Sequence, residues 1–194
     1  MTLITLIRHG QTDWNLEGRI QGSTDIPLND TGRAQARHAA VQLAGVAFDH
    51  VYASPLGRAR ETAEIIARER GLSAPLVTVG MREHEFGEAE GLLWDEYRER
   101  FGARTDDVPG AETVQQLTDR ALASLTRIDL AARRRSAPHV ESVLVCTHGG
   151  VIRALLEHAS GGTLPAPGER LGNASVHRFA MDGGGLRLLD AASV

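Results

Sequence analysis

The sequence contains no lysine, and all 21 of its basic residues are arginine. A Walker-type phosphate loop needs its Lys and Schiff-base chemistry needs a reactive amine, so both are excluded. There is one cysteine, Cys146, which rules out a disulfide framework and any all-cysteine metal site. Net charge is small: 21 basic against 25 acidic residues give −4. Such a chain carries no large field to draw nucleic acid or an anionic membrane surface. No apolar run approaches the ~20 residues of a membrane span. The first residues, MTLITLIRHG, lack the layout of a secretory leader, and a cytoplasmic location is expected. What is present is ordinary: 194 residues, 42% hydrophobic and 24% charged. That length buries roughly 70% of the unfolded surface, and residues 1–194 read as a single domain.

Strand-like and helix-like segments alternate. Residues 2–7 form a short β-branched apolar run that stops at Arg8-His9-Gly10. Residues 29–45 carry polar starters, then Ala36, Ala39, Ala40 and Leu43 at helical spacing, with Gly45 as a stop. Strands are expected at 50–54, 76–79 and 142–147, and helices at 56–70, 92–101, 112–134 and 149–158. Residues 175–181 and 186–190 flank a glycine turn and read as a hairpin. Alternation of this kind predicts an α/β fold of three layers, helix–sheet–helix, around a mostly parallel sheet.

Ligands of such sheets bind beyond the carboxyl ends of the strands. Here those ends carry Arg8-His9, Ser54-Pro55-Leu56-Gly57-Arg58 and Thr147-His148. Two histidines and two arginines are therefore expected on one edge. Gly10 and Gly149 follow the two histidines, and a glycine lets the backbone turn and leaves room beside an imidazole. Forked guanidiniums match the oxygens of a tetrahedral oxyanion, and helix N-termini nearby favour the same charge. The expected ligand is a phosphate group.

A nucleophile must be found for it. Six residues separate Cys146 from Arg153, one more than the Cys-x5-Arg spacing of tyrosine phosphatases, and Cys146 ends an apolar strand where a thiol is inert. No Gly-x-Ser-x-Gly elbow occurs. A histidine remains. Arginine neighbours would hold His9 neutral, able to attack phosphorus in line. A departing alkoxide needs a proton, and Glu83, Glu85, Glu88 and Glu90 follow the third strand as candidate acids.

Arg8-His9-Gly10-Gln11-Thr12 resembles the signature of the histidine phosphatase superfamily, the phosphoglycerate mutase-like proteins. Four further blocks resemble that family in order: Asn15 with Gln21-Gly22 and Asp25-Ile26-Pro27-Leu28; Ser54-Pro55-Leu56 with Arg58; Arg82-Glu83 with Phe86-Gly87 and Glu90-Gly91; and Thr147-His148-Gly149-Gly150. The resemblance implies that His9 is phosphorylated, that Arg8, Arg58 and His148 form the phosphate pocket, and that Glu83 is the proton donor. It also implies that Thr12, Asn15, Gln21 and Gly149 contact substrate. Ala89 stands where the family often has Trp and Glu61 where it often has Gln, and Pro109-Gly110-Ala111-Glu112-Thr113 resembles its Pro-Gly-Gly-Glu-Ser stretch.

Other features have plainer readings. His38, His50, His84, His139, His158 and His177 read as structural or solvated. Arg133-Arg134-Arg135 reads as a solvated helix end, and Trp14 and Trp94 as rim or packing residues. Asn173-Ala174-Ser175 matches a glycosylation sequon that stays silent without a leader. No metal is expected, because the neighbouring arginines would oppose a divalent cation. No cofactor is called for. The implied enzyme is a phosphomonoesterase acting on a small phosphorylated metabolite, with inorganic phosphate as product and inhibitor. A phosphoglycerate mutase is the alternative, and a non-catalytic phospho-ligand binder the third. Mutases of the family are longer, whereas only about twenty residues lie here between Gly91 and Pro109. The open site this implies admits water. Arg98, Arg100 and Arg104 are expected to roof the site, facing a second acidic group or simply solvent. Neither nucleic acid nor membrane is expected as a partner, and a homodimer is compatible with the sequence.

Overall fold

β1 (Thr2–Arg8) lies at the centre of the molecule because both of its faces are apolar. Ile4 and Leu6 point one way and Ile7 the other, and all three are almost wholly buried. The computed structural model describes residues 1–102, 107–183 and 185–190. The remaining elements are α1 (Asp13–Glu17), α2 (Asp30–Gln42), β2 (His50–Ala53), α3 (Gly57–Glu69), β3 (Leu76–Val77), α4 (Trp94–Phe101), α5 (Val114–Ser136), β4 (Glu141–Thr147), α6 (Gly149–Ser160), β5 (Val176–Asp182) and β6 (Gly185–Asp190). Two short 3₁₀ turns, Val79–Met81 and Gly87–Ala89, lie between β3 and α4.

The six strands form one sheet in the order β3-β2-β4-β1-β5-β6. β3, β2, β4 and β1 are parallel, and β5 and β6 are antiparallel additions on the far edge. Ile4, Leu6, Val143 and Val145 pack on one face with Leu117, Leu125 and Ile128 of α5 and Val151, Ile152 and Leu155 of α6. Ile7, Leu144 and Cys146 pack on the other with Ala39, Ala40 and Leu43 of α2 and Ala63 and Ile66 of α3. Each large apolar side chain fully buried in this way contributes roughly 1.5–3 kcal/mol. The three-layer, mostly parallel arrangement is thus the one the alternating pattern predicts.

Register sets up the site. Arg8 pairs with Thr147 and Ala53 with Cys146, so three strands end at one level. The next residues are His9, His148 and Ser54. No helix among the described residues is long and apolar enough to cross a membrane.

Some boundaries differ from expectation. The third strand is two residues long, and Val79 begins a 3₁₀ turn instead of extending it. The helix expected from residue 92 starts at Trp94, because the Leu93 N–H is taken by the Glu96 carboxylate. α1 is absent from the apolar pattern, since none of its residues is buried. It forms because Thr12 and Asn15 cap each other, each side chain accepting the other's backbone N–H at 3.2 Å. The basic run at the end of α5 is paired more than expected: Arg133 meets Asp129 and Arg135 meets Glu141, each at 2.8 Å.

Candidate active site

His9 sits just past β1 and is 2% exposed. Its backbone N–H donates to the Thr147 carbonyl at 2.9 Å, tying it to the end of β4. Its Nδ1 lies 2.7 Å from the Gly10 carbonyl. A carbonyl can only accept, so Nδ1 carries the hydrogen and Nε2 the lone pair. Burial, and then the charges of Arg8 and Arg58, hold this imidazole well below its ordinary range. His9 is therefore neutral, with an unprotonated Nε2.

His148 lies beside it, with ring centroids 5.2 Å apart. Its Nε2 is 2.7 Å from the Ser54 hydroxyl, which itself accepts the Leu56 N–H at 3.3 Å. A Ser54 hydrogen donated to Nε2 would leave the His148 hydrogen on Nδ1, the ring nitrogen that has no partner. Burial and the charge of Arg58 keep His148 neutral as well.

Around the two rings, buried donors lack acceptors. Arg8 Nε, Arg58 Nε, Gln21 Nε2 and His148 Nδ1 make no hydrogen bond. An orphaned buried donor costs about 1–3 kcal/mol, so four in one neighbourhood mark a place built for an acceptor that carries several oxygens. Arg58 is fully buried, and its two terminal nitrogens are held by the Thr24 and Gly22 carbonyls at 2.9 and 2.7 Å. One hydrogen of each terminal nitrogen is thus taken, while Nε–H and the second hydrogen of Nη2 remain side by side for a ligand. Arg8 is anchored similarly through Nη1 to the Leu171 carbonyl. Burial depresses both guanidiniums, with the Glu83 carboxylate opposing that shift.

A chain of amides fixes the wall next to His9. Thr12 donates to Gln21 Oε1 at 2.9 Å, which turns the Gln21 NH₂ away. Asn173 donates to the His9 carbonyl at 3.1 Å and to Asn15 Oδ1 at 3.0 Å. Thr12 is wholly buried and acts through Gln21, without lining the cavity itself. Gly10 has a different role from the one expected. A Cβ there would strike the Gly32 carbonyl, so the residue is small because α2 begins against it. At Gly149 the space expected beside the imidazole is taken by Arg8, whose Nε would lie 3.3 Å from a Cβ.

Among the four acidic candidates, only Glu83 borders the same cavity as His9. Its Oε1 accepts the His84 N–H at 2.9 Å and its Oε2 the Gly150 N–H at 3.2 Å. Glu85 is paired with Arg82 at 2.7 Å and Glu88 with Arg100 at 3.2 Å. Burial works to raise Glu90, but hydrogen bonds from Thr24 and Ser23 outweigh it and hold that carboxyl below its usual range. Cys146 faces the α2–α3 core, where burial pushes its thiol far up.

The cavity measures about 490 Å³. Beyond Arg8, His9, Asn15, Gln21, Glu83 and Gly149 it is walled by His84, Phe86 and Trp94 on one side and by Arg153, Glu157 and Arg170 on another. Sequence reasoning assigned His84 to a structural role and gave none of Phe86, Arg153, Glu157 and Arg170 a place in the site. Only the one-turn spacing of Gly149, Arg153 and Glu157 along α6 could have suggested a shared face. Arg98 and Arg100 do not roof the site: Arg98 pairs with Asp95 at 2.8 Å and Arg100 with Glu88. Arg104 lies outside the described residues. Among the described residues no group of three or more His, Cys, Asp or Glu side chains is disposed to hold a metal ion.

Comparison with known proteins agrees with this geometry. The chain is 40% identical over 178 residues to the uncharacterized phosphatase PhoE of Bacillus subtilis, covering 91% of this chain and 86% of that one. It is 34% identical over 167 residues to a 2,3-bisphosphoglycerate-dependent phosphoglycerate mutase of Azorhizobium caulinodans, covering 79% of each. A mycobacterial glucosyl-3-phosphoglycerate phosphatase solved with VO3 superposes with a TM-score of 0.85 at 26% identity, over the full length of both chains. The profile of the histidine phosphatase superfamily (branch 1) matches residues 4–193. With that match over nearly its whole length, the chain belongs to the histidine phosphatase superfamily, whose members here include both phosphatases and mutases.

Proposed function

We propose that the protein is a phosphomonoesterase working through a phosphohistidine on His9. The observation that carries this reading is the set of orphaned buried donors around the bare Nε2 of His9. In the first half-reaction Nε2 attacks phosphorus and a P–N bond forms as the P–O bond to the alcohol breaks. The Glu83 carboxylic acid gives its proton to the departing oxygen. In the second, water attacks phosphorus, Glu83 takes the water's proton, and the P–N bond breaks to release inorganic phosphate. Arg8, Arg58, Gln21 and His148 hold the phosphoryl oxygens throughout, supplying fixed positive charge where it develops. Arginines already supply that charge, so turnover needs no metal.

Hydrolysis is favoured over transfer to a second hydroxyl because the segment between Gly91 and Pro109 is short and Trp94, at the cavity rim, is 40% exposed. The test is incubation with p-nitrophenyl phosphate and with 3-phosphoglycerate, with and without EDTA. Release of inorganic phosphate unaffected by EDTA is expected. Interconversion of phosphoglycerate isomers with little phosphate release would identify a mutase, and phosphate binding without turnover a binding protein.

The pocket makes a second prediction. Lysine at position 58 has one ammonium group and cannot both hold the Thr24 and Gly22 carbonyls and reach the phosphate. Arg58→Lys should lose on the order of 10²-fold in kcat/KM, with a parallel loss of vanadate inhibition. Near-normal values for both would remove Arg58 from the pocket.

A further inference from the structure

The loop that carries Glu83 is held by a buried ion pair that does not touch the cavity. Arg120, on α5, and Glu112, just before it, are 15% and 8% exposed in their side chains. Every donor of Arg120 is used. Nη1 donates to the carbonyls of Gly80 and Arg82 at 2.8 and 2.7 Å. Nη2 donates to the Glu83 carbonyl at 2.8 Å and to Glu112 Oε1. Nε donates to Glu112 Oε2 at 2.9 Å. Glu112 completes the frame: its Oε1 accepts the Glu85 N–H at 3.0 Å, and its backbone carbonyl accepts Nε2–H of His84 at 2.7 Å. Arg8 and Arg58 each keep a donor for a ligand, whereas Arg120 keeps none.

One peptide group connects this frame to the chemistry. The Glu83 carbonyl held by Arg120 and the His84 N–H belong to the same planar trans unit, so they point in opposite directions. Pulling the carbonyl toward Arg120 aims the N–H at the other side, where it meets Glu83 Oε1 at 2.9 Å. The Arg120 charge also polarises that peptide and strengthens the N–H as a donor. We infer that Arg120 and Glu112 are positioning residues for the proton donor, fixing the Glu83 carboxyl at the leaving oxygen through the 83–84 peptide. The inference rests on the reading of Glu83 as that donor.

A positioning role predicts a loss that depends on the leaving group. An alkoxide needs the proton and p-nitrophenolate does not. The readout is the ratio of the single-turnover rates of His9 phosphorylation by glycerol phosphate and by p-nitrophenyl phosphate, with Glu83→Gln as reference. Arg120→Lys keeps the charge but cannot fork, and Glu112→Gln keeps the shape but weakens the pair. Each should lower that ratio by about 10- to 100-fold, part of the usual size of general acid catalysis, with KM and vanadate inhibition near those of the parent. Adding Arg120→Lys to Glu83→Gln should lower the ratio no further, because a misplaced donor that is already absent has nothing left to lose. If Glu83→Gln shows the leaving-group split but folded Arg120→Lys and Glu112→Gln lose activity equally on both substrates, the pair only supports the fold and the inference fails. If Glu83→Gln shows no split, the proton-donor reading falls first and takes the inference with it.

Discussion

Replacing His9 with alanine is expected to abolish phosphate release from every substrate. Among the described residues the other candidate nucleophiles are turned away or engaged: Cys146 faces the opposite core, the Ser54 hydroxyl is 2.7 Å from His148 Nε2, and His84 Nε2 is tied to the Glu112 carbonyl. The wild-type protein quenched during turnover should carry acid-labile phosphate, and His9→Ala should carry none. Equal labelling of the two proteins would end the assignment. The same substitution has a stability signature. In the unfolded chain His9 takes up a proton near its ordinary value of 6.5, but the folded protein resists protonation until far lower pH. As pH falls through 6.5 the unfolded state gains a proton that the folded state does not, so stability drops. His9→Ala removes one such group. Its unfolding free energy should decline less steeply than that of the parent between about pH 7 and pH 5. The activity of the parent should also persist below the pH at which an exposed imidazole would be protonated, because Nε2 stays unprotonated there.

Glu83→Gln is expected to separate substrates by leaving group. Phosphorylation of His9 by alkyl phosphates, followed in a single turnover, should slow on the order of 10²–10⁴-fold, the usual contribution of a general acid, while phosphorylation by p-nitrophenyl phosphate should slow less than about tenfold. Glutamine keeps one acceptor oxygen for the His84 N–H but turns an NH₂ toward the Gly150 N–H. That donor–donor clash costs about 1–2 kcal/mol of stability, a modest loss that leaves the fold intact. A uniform fall across both substrate types would reassign Glu83 to holding the end of α6. Direct proton transfer would then belong to a water, since Glu85, Glu88 and Glu90 are each engaged elsewhere.

Much of the architecture is local and therefore legible. The β-branched runs at residues 2–7 and 142–147 and the alanine-rich helix around residues 36–43 follow from apolar spacing alone. The residues after the strands could be named because a parallel sheet gathers its carboxyl ends on one edge, and the register then brings them to one level. α1 escaped because it buries nothing and exists only through the reciprocal Thr12–Asn15 cap. Of the two readings held for Arg98 and Arg100, the solvent-facing one stands: both side chains are more than half exposed, beside Asp95 and Glu88.

The sequence by itself determined the class of fold, the exclusion of lysine- and disulfide-based chemistry, and which two histidines and two arginines follow the strand ends. Only the tertiary structure decided how they are used. Ser54 meets His148 across 94 positions of the chain, and that contact engages Nε2 and leaves Nδ1 as the unpartnered ring nitrogen. Glu83 is singled out from its three neighbours by the N–H of Gly150, 67 residues away. Arg120 reaches back 37 residues to the Glu83 carbonyl. Apolar periodicity reports which face of a segment is buried. It is silent on which polar atoms then meet, because that depends on strand order and on the few tenths of an ångström that separate a hydrogen bond from a gap.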